Sequence, residues 1–343
     1  MKNTTKTNLH ALSKKDLEDF FRAHNLPSYR IRQLIHWIYE RSAKSLEEIT
    51  EFSKDLRVVL SDKAYLGQLT LLNSQVSSDG TEKFLFGLED GETIESVLIP
   101  YEERLTLCIS SQVGCAMGCV FCLTGKLGLK RNLAPHEIVD QVIGVNRLIF
   151  PRRITNIVLM GMGEPLANFD NVVDALKRMT GLMMISPRRI TLSTSGLVPK
   201  IVELGQQGLK VSLAISLNAT TDAVRDEIMP VNKIYPLKAL LEACRKFPLP
   251  SSKRITFEYV MLKGINDSDE DARRLIRLLK GIPSKINLIP FNPYNYCEYE
   301  RPDDAAVLRF QDILAQANMT VIIRKSKGQD ILAACGQLKA RYR

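Results

Sequence analysis

The 343-residue sequence lacks any apolar run near the roughly 18 residues that a membrane-spanning helix needs. We expect no secretory leader, because no apolar stretch follows the positive charges of the N-terminal residues. No internal repeat or low-complexity segment is evident. These absences argue against a membrane protein and a secreted protein, so we expect a cytoplasmic protein with no membrane contact.

The composition is that of a globular protein with a sizeable core. Hydrophobic residues make up 45% of the chain and charged residues 25%, which excludes a disordered chain and a small disulfide-stapled protein. The length suggests roughly two domains. A net charge of +9 favours a polyanionic partner such as nucleic acid, although charge alone does not establish one.

Helix and strand signals divide the chain into four parts. Residues 1–69 show helical spacing after a possible N-cap at Ser13, and their basic face fits either RNA docking or an ordinary solvated surface. Residues 70–100 show strand patterns with Asp-Gly turns, which predict a short β extension. Residues 101–335 alternate strands with helices, and residues 336–343 form a basic C-terminal tail.

The alternating part predicts the fold class. Strand-then-helix order is typical of an α/β protein with a parallel sheet and right-handed crossovers. Candidate strands begin near residues 105, 156, 189, 210, 255, 285 and 320. About six strand–helix units are too few for a closed eight-stranded barrel. We therefore predict an open, partial (βα)6 barrel rather than a flat doubly wound sheet.

Three of the seven cysteines form a CxxxCxxC triplet, Cys115, Cys119 and Cys122. Three thiolates can hold three irons of a [4Fe–4S] cluster and leave the fourth iron open for a substrate. A structural zinc site normally uses four protein ligands in two pairs, and the sequence has no second CxxC pair. His136 is a weak candidate for a fourth ligand. We expect an open iron–sulfur site, with zinc or inert cysteines as the alternative.

The triplet resembles the signature of radical S-adenosylmethionine (SAM) enzymes. Residues 160–165, MGMGEP, are similar to the glycine-glycine-glutamate motif that holds the SAM amino group in that superfamily. Paired glycines let a ligand approach the backbone closely, and Glu164 can accept hydrogen bonds from an ammonium. Taken without the cysteines, the same residues would be a glycine turn with a capping carboxylate.

Four further stretches resemble the RlmN/Cfr family of radical SAM RNA adenine methyl synthases. The likeness spans roughly residues 15–338. The stretches are SSQVGC at 110–115, LSTSG at 192–196, INLIPFNP at 286–293 and AACGQL at 333–338. The resemblance implies a radical SAM partial barrel, a [4Fe–4S] cluster held by the cysteine triplet, and SAM as the second cofactor.

The family's chemistry implies roles for the remaining cysteines. The amidine carbons of adenine are electron-poor, so a thiolate first takes a methyl from one SAM, and a radical from a second SAM activates that methyl. By resemblance Cys335 carries the methyl, Cys108 resolves the protein–RNA thioether through a transient disulfide, and Glu95 accepts the proton. Without the resemblance, these would be core or strand residues. Cys244 and Cys297 match no functional position.

The resemblance also implies a set of SAM contacts. Without it, the Ser and Asn residues among them would be assigned to turns and caps. One position departs from the family, where many members have His in place of Asn218. The implied contacts are Gly163, Glu164, Ser193, Ser216, Leu217, Asn218 and Asn292.

The implied substrate is RNA. The first hypothesis is an RlmN-type enzyme, which would methylate C2 of adenine 2503 in 23S rRNA and of adenine 37 in some tRNAs. The alternative is a Cfr-type enzyme, which would methylate C8 of the same rRNA base. The target base must leave its stack to reach the site. We also expect an external electron donor and a monomer. A non-catalytic RNA-binding protein with a structural metal is the remaining alternative.

Basic clusters supply candidate phosphate contacts. Any one of them is more often a solvated face than a contact. They are Lys126, Lys130 and Arg131; Arg152 and Arg153; Arg188 and Arg189; Arg324, Lys325 and Lys327; and Lys339, Arg341 and Arg343.

Overall fold

The N-terminal part of the chain forms three helices in the region where helical spacing predicts them. The structure, a computed structural model, describes residues 6–294 and 297–338. The elements of this part are β1 (Thr7–Asn8), α1 (Lys14–Ala23), α2 (Tyr29–Tyr39), α3 (Lys54–Lys63) and β2 (Ala64–Tyr65). Ser13 caps α1 in a capping box with Asp16. β1 and β2 pair in parallel, a closure that the sequence pattern does not predict.

Four antiparallel strands follow and form one end of a ten-stranded sheet. They are β3 (Thr70–Val76), β4 (Glu82–Gly87), β5 (Thr93–Tyr101) and β6 (Arg104–Cys108). The first two connections contain the predicted Asp-Gly turns, with φ of +81° at Gly80 and +85° at Gly91. Because β5 pairs with β6 and β6 continues into the parallel strands, the predicted β extension is the antiparallel end of the barrel sheet and not a separate small sheet.

A short hairpin interrupts the chain before the first barrel helix. It consists of β7 (Gln112–Cys115), α4 (Leu123–Lys126) and β8 (Gly128–Asn132). The cysteine triplet begins in this hairpin, because Cys115 is the last residue of β7, which pairs antiparallel with β8. A side chain on Gly114, where φ is +79°, would overlap the Gly128 carbonyl oxygen, so this pairing requires glycine.

The rest of the chain completes a partial barrel. Its elements are α5 (Pro135–Leu148), β9 (Asn156–Leu159), α6 (Phe169–Gly181), β10 (Ile190–Thr194), α7 (Val198–Gln206), β11 (Ser212–Ser216), α8 (Asp222–Ile228), α9 (Leu237–Lys246), β12 (Ile255–Met261), α10 (Asp269–Leu279), β13 (Ser284–Pro290), α11 (Asp304–Gln316) and β14 (Val321–Ile323). Strands β6 and β9 to β14 are parallel and adjacent in chain order, so helical crossovers join them as a (βα)6 unit. This confirms the predicted fold class. In the described part of the chain, no helix is long and apolar enough to cross a membrane.

The parallel register aligns polar side chains near one edge of the sheet. Ser216 on β11 pairs with Glu258 on β12, and Glu258 pairs with Asn287 on β13. Parallel strands present their carboxyl ends at the same edge, so the loops after them converge there.

Buried polar contacts join the N-terminal helices to the barrel helices. His10 Nδ1 lies 2.7 Å from Asp140 Oδ1 on α5. Arg178 on α6 donates to the His10 carbonyl at 2.8 Å. Arg147 on α5 donates to the Ser42 carbonyl at 3.0 Å. Because a buried acceptor without a donor costs free energy, these contacts fix how the two parts meet.

We expect Arg178→Gln to lower the free energy of unfolding by about 1–3 kcal/mol, because the buried His10 carbonyl loses its donor. Urea denaturation followed by circular dichroism measures this. The matched control is Arg273→Gln on α10, whose side chain is largely exposed beside Glu270 and whose change should stay within about 0.5 kcal/mol. Equal stability of the two variants would contradict the interpretation.

Candidate active site

A cleft of about 940 Å³ opens at the carboxyl ends of the barrel strands. It brings together most of the predicted site residues, although they are far apart in the sequence. Those that line it are Cys115, Cys119, Cys122, Gly163, Glu164, Ser193, Ser216, Asn218, Asn292 and Cys335. The cleft therefore combines the cysteine triplet, the predicted SAM contacts and the predicted methyl carrier in one site.

The loop that carries the cysteine triplet is held at both ends by backbone hydrogen bonds. Val120 N–H donates to the Ile228 carbonyl at 3.1 Å, at the end of α8. Leu123 N–H donates to the Gly336 carbonyl at 2.7 Å, next to Cys335. The triplet is thus fixed to the barrel and to the C-terminal segment at the same time.

Burial disfavours the charged form of the three thiols. It raises the pKa of Cys115 to about 12, and it raises the pKa values of Cys119 and Cys122 as well. The thiols are therefore protonated at neutral pH unless a metal binds them, because coordination replaces the proton. One buried and two half-buried thiols of this kind suit a metal centre better than a solvent-exposed nucleophile.

The donor set fits an iron–sulfur cluster. Within residues 6–294 and 297–338, no group of three or more His, Cys, Asp or Glu side chains is arranged to hold a metal ion. In a [4Fe–4S] cluster each thiolate binds a different iron, so the three sulfurs need not converge on one point. His136, the candidate fourth ligand for zinc, is not among the residues that line the cleft.

Glu164 is a buried carboxylate at the wall of the cleft. Its Oε2 accepts a hydrogen bond from Ser195 N–H at 2.7 Å, and its Oε1 accepts one from Leu166 N–H at 3.0 Å. Burial raises the pKa of Glu164, while these donors favour the charged form. Across the described ranges, no basic side chain forms an ion pair with Glu164 within 4.0 Å. A ligand ammonium fits this position.

The glycine before Glu164 allows the chain to pass close to β7. Gly163 has φ of +101°, and a Cβ there would lie 2.6 Å from Gln112 Cβ. The Gln112 side chain in turn accepts a hydrogen bond from Glu164 N–H at 2.8 Å. The resemblance to the glycine-glycine-glutamate motif thus corresponds to a steric requirement here.

In the loop after β11, the side chains of Leu217 and Asn218 have structural roles. Asn218 has φ of +57°, which Asn tolerates, and its Oδ1 accepts a hydrogen bond from Val260 N–H at 2.8 Å. Leu217 is fully buried and does not line the cleft. The side chain that departs from the family therefore holds the loop to β12. Ser216, at the end of β11, does line the cleft.

Cys335 and Cys108 share a second cleft of about 710 Å³ that opens into the first. Cys335 is exposed, Cys108 is buried, and both are free thiols. Burial raises the pKa of Cys108 to about 12, so it is protonated at neutral pH. The Arg324 guanidinium lines both clefts. A negative charge on Cys335 raises the pKa of Arg324. The predicted methyl carrier and resolving thiol are thus neighbours.

Glu95 does not line either of these clefts. It lies in a third one, of about 700 Å³, with Lys83 and residues 330–332. Lys83 Nζ is 3.4 Å from Glu95 Oε1 and donates to the Leu332 carbonyl at 3.4 Å. The segment that leads to Cys335 therefore forms part of the Glu95 cleft, and the role of Glu95 stays a prediction.

Three charged residues of the site were not among the predicted site residues. Glu258 lines the main cleft, and its Oε1 accepts a hydrogen bond from Asn287 Nδ2 at 2.9 Å. Its Oε2 has no hydrogen-bond partner and lies 3.8 Å from Arg324 Nη1. A carboxylate within the apolar strand 255–261 was a signal for Glu258. Arg324 entered the prediction only as part of a basic cluster, and no sequence signal marks the buried Arg225.

The basic clusters differ in how free their charges are. Arg131 bonds Asp90 at 2.6 Å and Glu137 at 2.8 Å, so it does not suit a phosphate contact. Lys325 and Lys327 line the second cleft beside Cys335. The cluster at 339–343 lies outside the described residues.

Comparisons with known proteins agree with this site. The Radical SAM superfamily matches residues 109–276, and the Ribosomal RNA large subunit methyltransferase N-terminal domain matches residues 7–66. A "Dual-specificity RNA methyltransferase RlmN" of Pelobacter propionicus is 54% identical over 98% of this chain and 97% of that protein. The protein of the same name from Geobacter sulfurreducens is 53% identical over 98% and 93% of the two chains.

A solved structure supports the same assignment. A radical SAM methyltransferase from Sphaerobacter thermophilus aligns with a TM-score of 0.94 and 42% identity, covering 98% of this chain and 100% of that one. Fold and site together define a radical SAM methyltransferase, which uses a [4Fe–4S] cluster and SAM. Since relatives about half identical share nearly its full length, the chain belongs to the RlmN family of RNA methyltransferases. The predicted family and cofactors are confirmed.

We expect Glu164→Gln to weaken SAM binding at least about tenfold, because the amide removes the negative charge that faces the ligand ammonium. Iron content should stay at the wild-type value, since Glu164 is not a cluster ligand. Equilibrium dialysis with SAM and iron analysis of anaerobically purified protein measure the two quantities.

Glu242→Gln is the matched control, because Glu242 is exposed on α9 and pairs only with neighbouring cations. It should bind SAM as the wild type does. Unchanged SAM affinity in Glu164→Gln would contradict the prediction that Glu164 contacts SAM. If the wild-type protein contains zinc instead of iron and sulfide, the assignment of an iron–sulfur cluster is wrong.

Proposed function

We propose that this RNA methyltransferase adds a methyl to C2 of adenine 2503 in 23S rRNA and of adenine 37 in some tRNAs. The observation that carries the proposal is that Cys335 shares one cleft with the cysteine triplet and adjoins Cys108 in the next. The names of the relatives, which state dual specificity toward RNA, support two kinds of RNA substrate.

The first stage of the proposed reaction is methylation of Cys335. The Cys335 sulfur attacks the methyl of SAM, a sulfur–carbon bond forms, and the sulfonium–carbon bond breaks with its electron pair remaining on the departing thioether. Exposure lets the sulfur reach a ligand in the main cleft. The Arg324 guanidinium lines the same cleft as Cys335, and the thiolate is the nucleophilic form of a cysteine.

In the second stage the methyl carbon is transferred to adenine. The cluster, when bound, supplies the electron that cleaves a second SAM to the radical that takes hydrogen from the Cys335 methyl. The resulting methylene radical bonds the adenine carbon, and the adduct then loses one electron, which the oxidised cluster would accept, and the ring proton, which leaves a thioether cross-link to Cys335. Glu95 is proposed to accept the proton from the modified carbon, which requires the base to extend toward the cleft that Glu95 lines.

Release of the product is assigned to Cys108. Its thiolate attacks the Cys335 sulfur, so that a disulfide forms and the sulfur–carbon bond breaks with its electron pair on the product carbon, which then takes a proton. Because burial keeps Cys108 protonated at neutral pH, it needs a base before it can attack. The protonated thiol therefore disfavours attack by Cys108 before the cross-link has formed.

RNA is expected to reach the site by base flipping or as an unstacked loop base. Lys325 and Lys327 beside the second cleft are the candidate phosphate contacts nearest to Cys335. A cytoplasmic location, an external electron donor and a monomeric state follow from the same hypothesis and stay predictions.

We expect RNA from cells that lack the gene to lose 2-methyladenosine from 23S rRNA and from tRNA. Mass spectrometry of nucleosides from both RNA fractions measures this, and cells that carry the gene on a plasmid are the control. Loss of 8-methyladenosine instead would establish the C8 alternative. No change in either nucleoside would favour a non-catalytic RNA-binding protein.

We expect Cys335→Ala to form no methylated adenine and Cys108→Ala to accumulate a covalent RNA adduct, because one variant lacks the methyl carrier and the other cannot break the cross-link. Denaturing gels of labelled RNA and nucleoside analysis after anaerobic reconstitution measure both outcomes. Cys297→Ala is the control and should turn over normally, since this half-buried cysteine matches no functional position. Turnover by Cys335→Ala would make the methyl-carrier assignment wrong.

A further inference from the structure

Arg225 is a fully buried arginine on α8, behind the wall of the main cleft. Its guanidinium donates from Nε to the Leu217 carbonyl at 2.9 Å and from Nη1 to Asn232 Oδ1 at 3.1 Å. Nη2 donates to the carbonyls of Ser195 at 2.7 Å and Ser216 at 3.0 Å. One side chain thus binds the loops after both β10 and β11.

The Ser195 backbone connects these hydrogen bonds to the predicted SAM site. The same Ser195 whose carbonyl accepts from Arg225 donates its N–H to Glu164 at 2.7 Å. Gly196, the next residue, has φ of +113°, and a Cβ there would lie 3.2 Å from Leu240 and in ordinary contact with Arg225 Nη2 at 3.4 Å. The position of Glu164 in the cleft therefore depends on the Arg225 network.

The charge of Arg225 has no direct counter-ion among the residues that the structure describes. Its acceptors are three carbonyls and one carboxamide, all neutral. In the described ranges, no carboxylate lies within 4.0 Å of the guanidinium. Asp222 and Asp226 bond the Asn232 side chain instead. A buried cation without a directly paired anion is costly, so a further anion nearby would stabilise it beyond the charges of Asp222 and Asp226.

The cysteine triplet is where that anion would form. Burial lowers the pKa of Arg225 to about 10, which leaves the guanidinium charged at neutral pH, and a deprotonated Cys119 would oppose this lowering more than Asp222 or Asp226 does. The loop carrying Cys119 lies on α8 through the bond between Val120 N–H and the Ile228 carbonyl. Thiolates bound to a cluster at this loop would place negative charge beside Arg225.

We propose that Arg225 is a positioning residue with two effects: it holds the strand-end loops that shape the SAM site, and its charge compensates the cluster held by Cys119 and its two neighbours. A positive charge near a cluster stabilises the reduced form, which is the more negative one. Arg225 thereby raises the reduction potential of the cluster. The proposal rests on radical SAM chemistry and not on the identity of the methylated RNA position.

A purely structural role for Arg225 makes different predictions. Other buried arginines also bond carbonyls, and Arg178 is the matched example, with 5% exposure and bonds to the backbone of the N-terminal part. A structural role would change stability alone. The proposed role changes the cluster potential and SAM affinity in protein that is still folded.

The test compares Arg225→Gln, Arg225→Lys and Arg178→Gln after anaerobic reconstitution. Potentiometric titration followed by electron paramagnetic resonance gives the cluster potential, equilibrium dialysis gives SAM affinity, and circular dichroism checks folding. Both Arg225 variants lose the multiple hydrogen bonds, but only Gln loses the charge. The comparison therefore separates the two effects.

We expect Arg225→Gln to lower the equilibrium constant for cluster reduction about tenfold, which is about 59 mV for one electron. Arg225→Lys should keep most of the potential, both Arg225 variants should bind SAM at least several-fold more weakly, and Arg178→Gln should change neither quantity. Wild-type potential and SAM affinity in folded Arg225→Gln would overturn the proposal. If that variant does not fold, wild-type SAM affinity in Arg225→Lys overturns it and weakened affinity supports it.

Discussion

The parallel register of the barrel strands is the constraint on which the site depends. Seven parallel strands end at one edge of the sheet, and the loops after them supply the residues that line the main cleft. The loop after β11 is tied to the next strand, because Leu217 N–H donates to the Glu258 carbonyl at 3.0 Å. A shift of one strand by one residue would turn its polar side chains away from the cleft.

The barrel concentrates buried charge around that cleft. Glu164 and Glu258 are buried carboxylates and Arg225 is a buried cation. Burial raises the pKa of the two carboxylates and lowers that of Arg225, so it disfavours the charged form of each. Such an arrangement is unfavourable in a structural core, where hydrophobic residues of similar volume would serve better. It suits a site that binds a charged cluster and a zwitterionic sulfonium ligand, because ligand binding restores the missing partners.

Prediction from the sequence succeeded where the signal was local. The CxxxCxxC spacing placed three thiols in one loop, and Ser13 with its acidic partner marked the start of α1. It failed where pairing between distant segments decides the outcome. The insertion of β7 and β8, the fusion of the β extension with the barrel sheet, and the engagement of Arg131 in ion pairs all depend on residues many positions away.

The sequence by itself determined the class of chemistry, because cysteine spacing and strand–helix alternation are local properties of the chain. Only the tertiary structure decided how the separate motifs combine. It put Cys335 next to Cys108 across more than half the chain, set Glu95 in a neighbouring cleft, and buried Arg225 between two loops. The physical reason is that these relations arise from strand register and side-chain packing, which link residues with no regular separation in sequence.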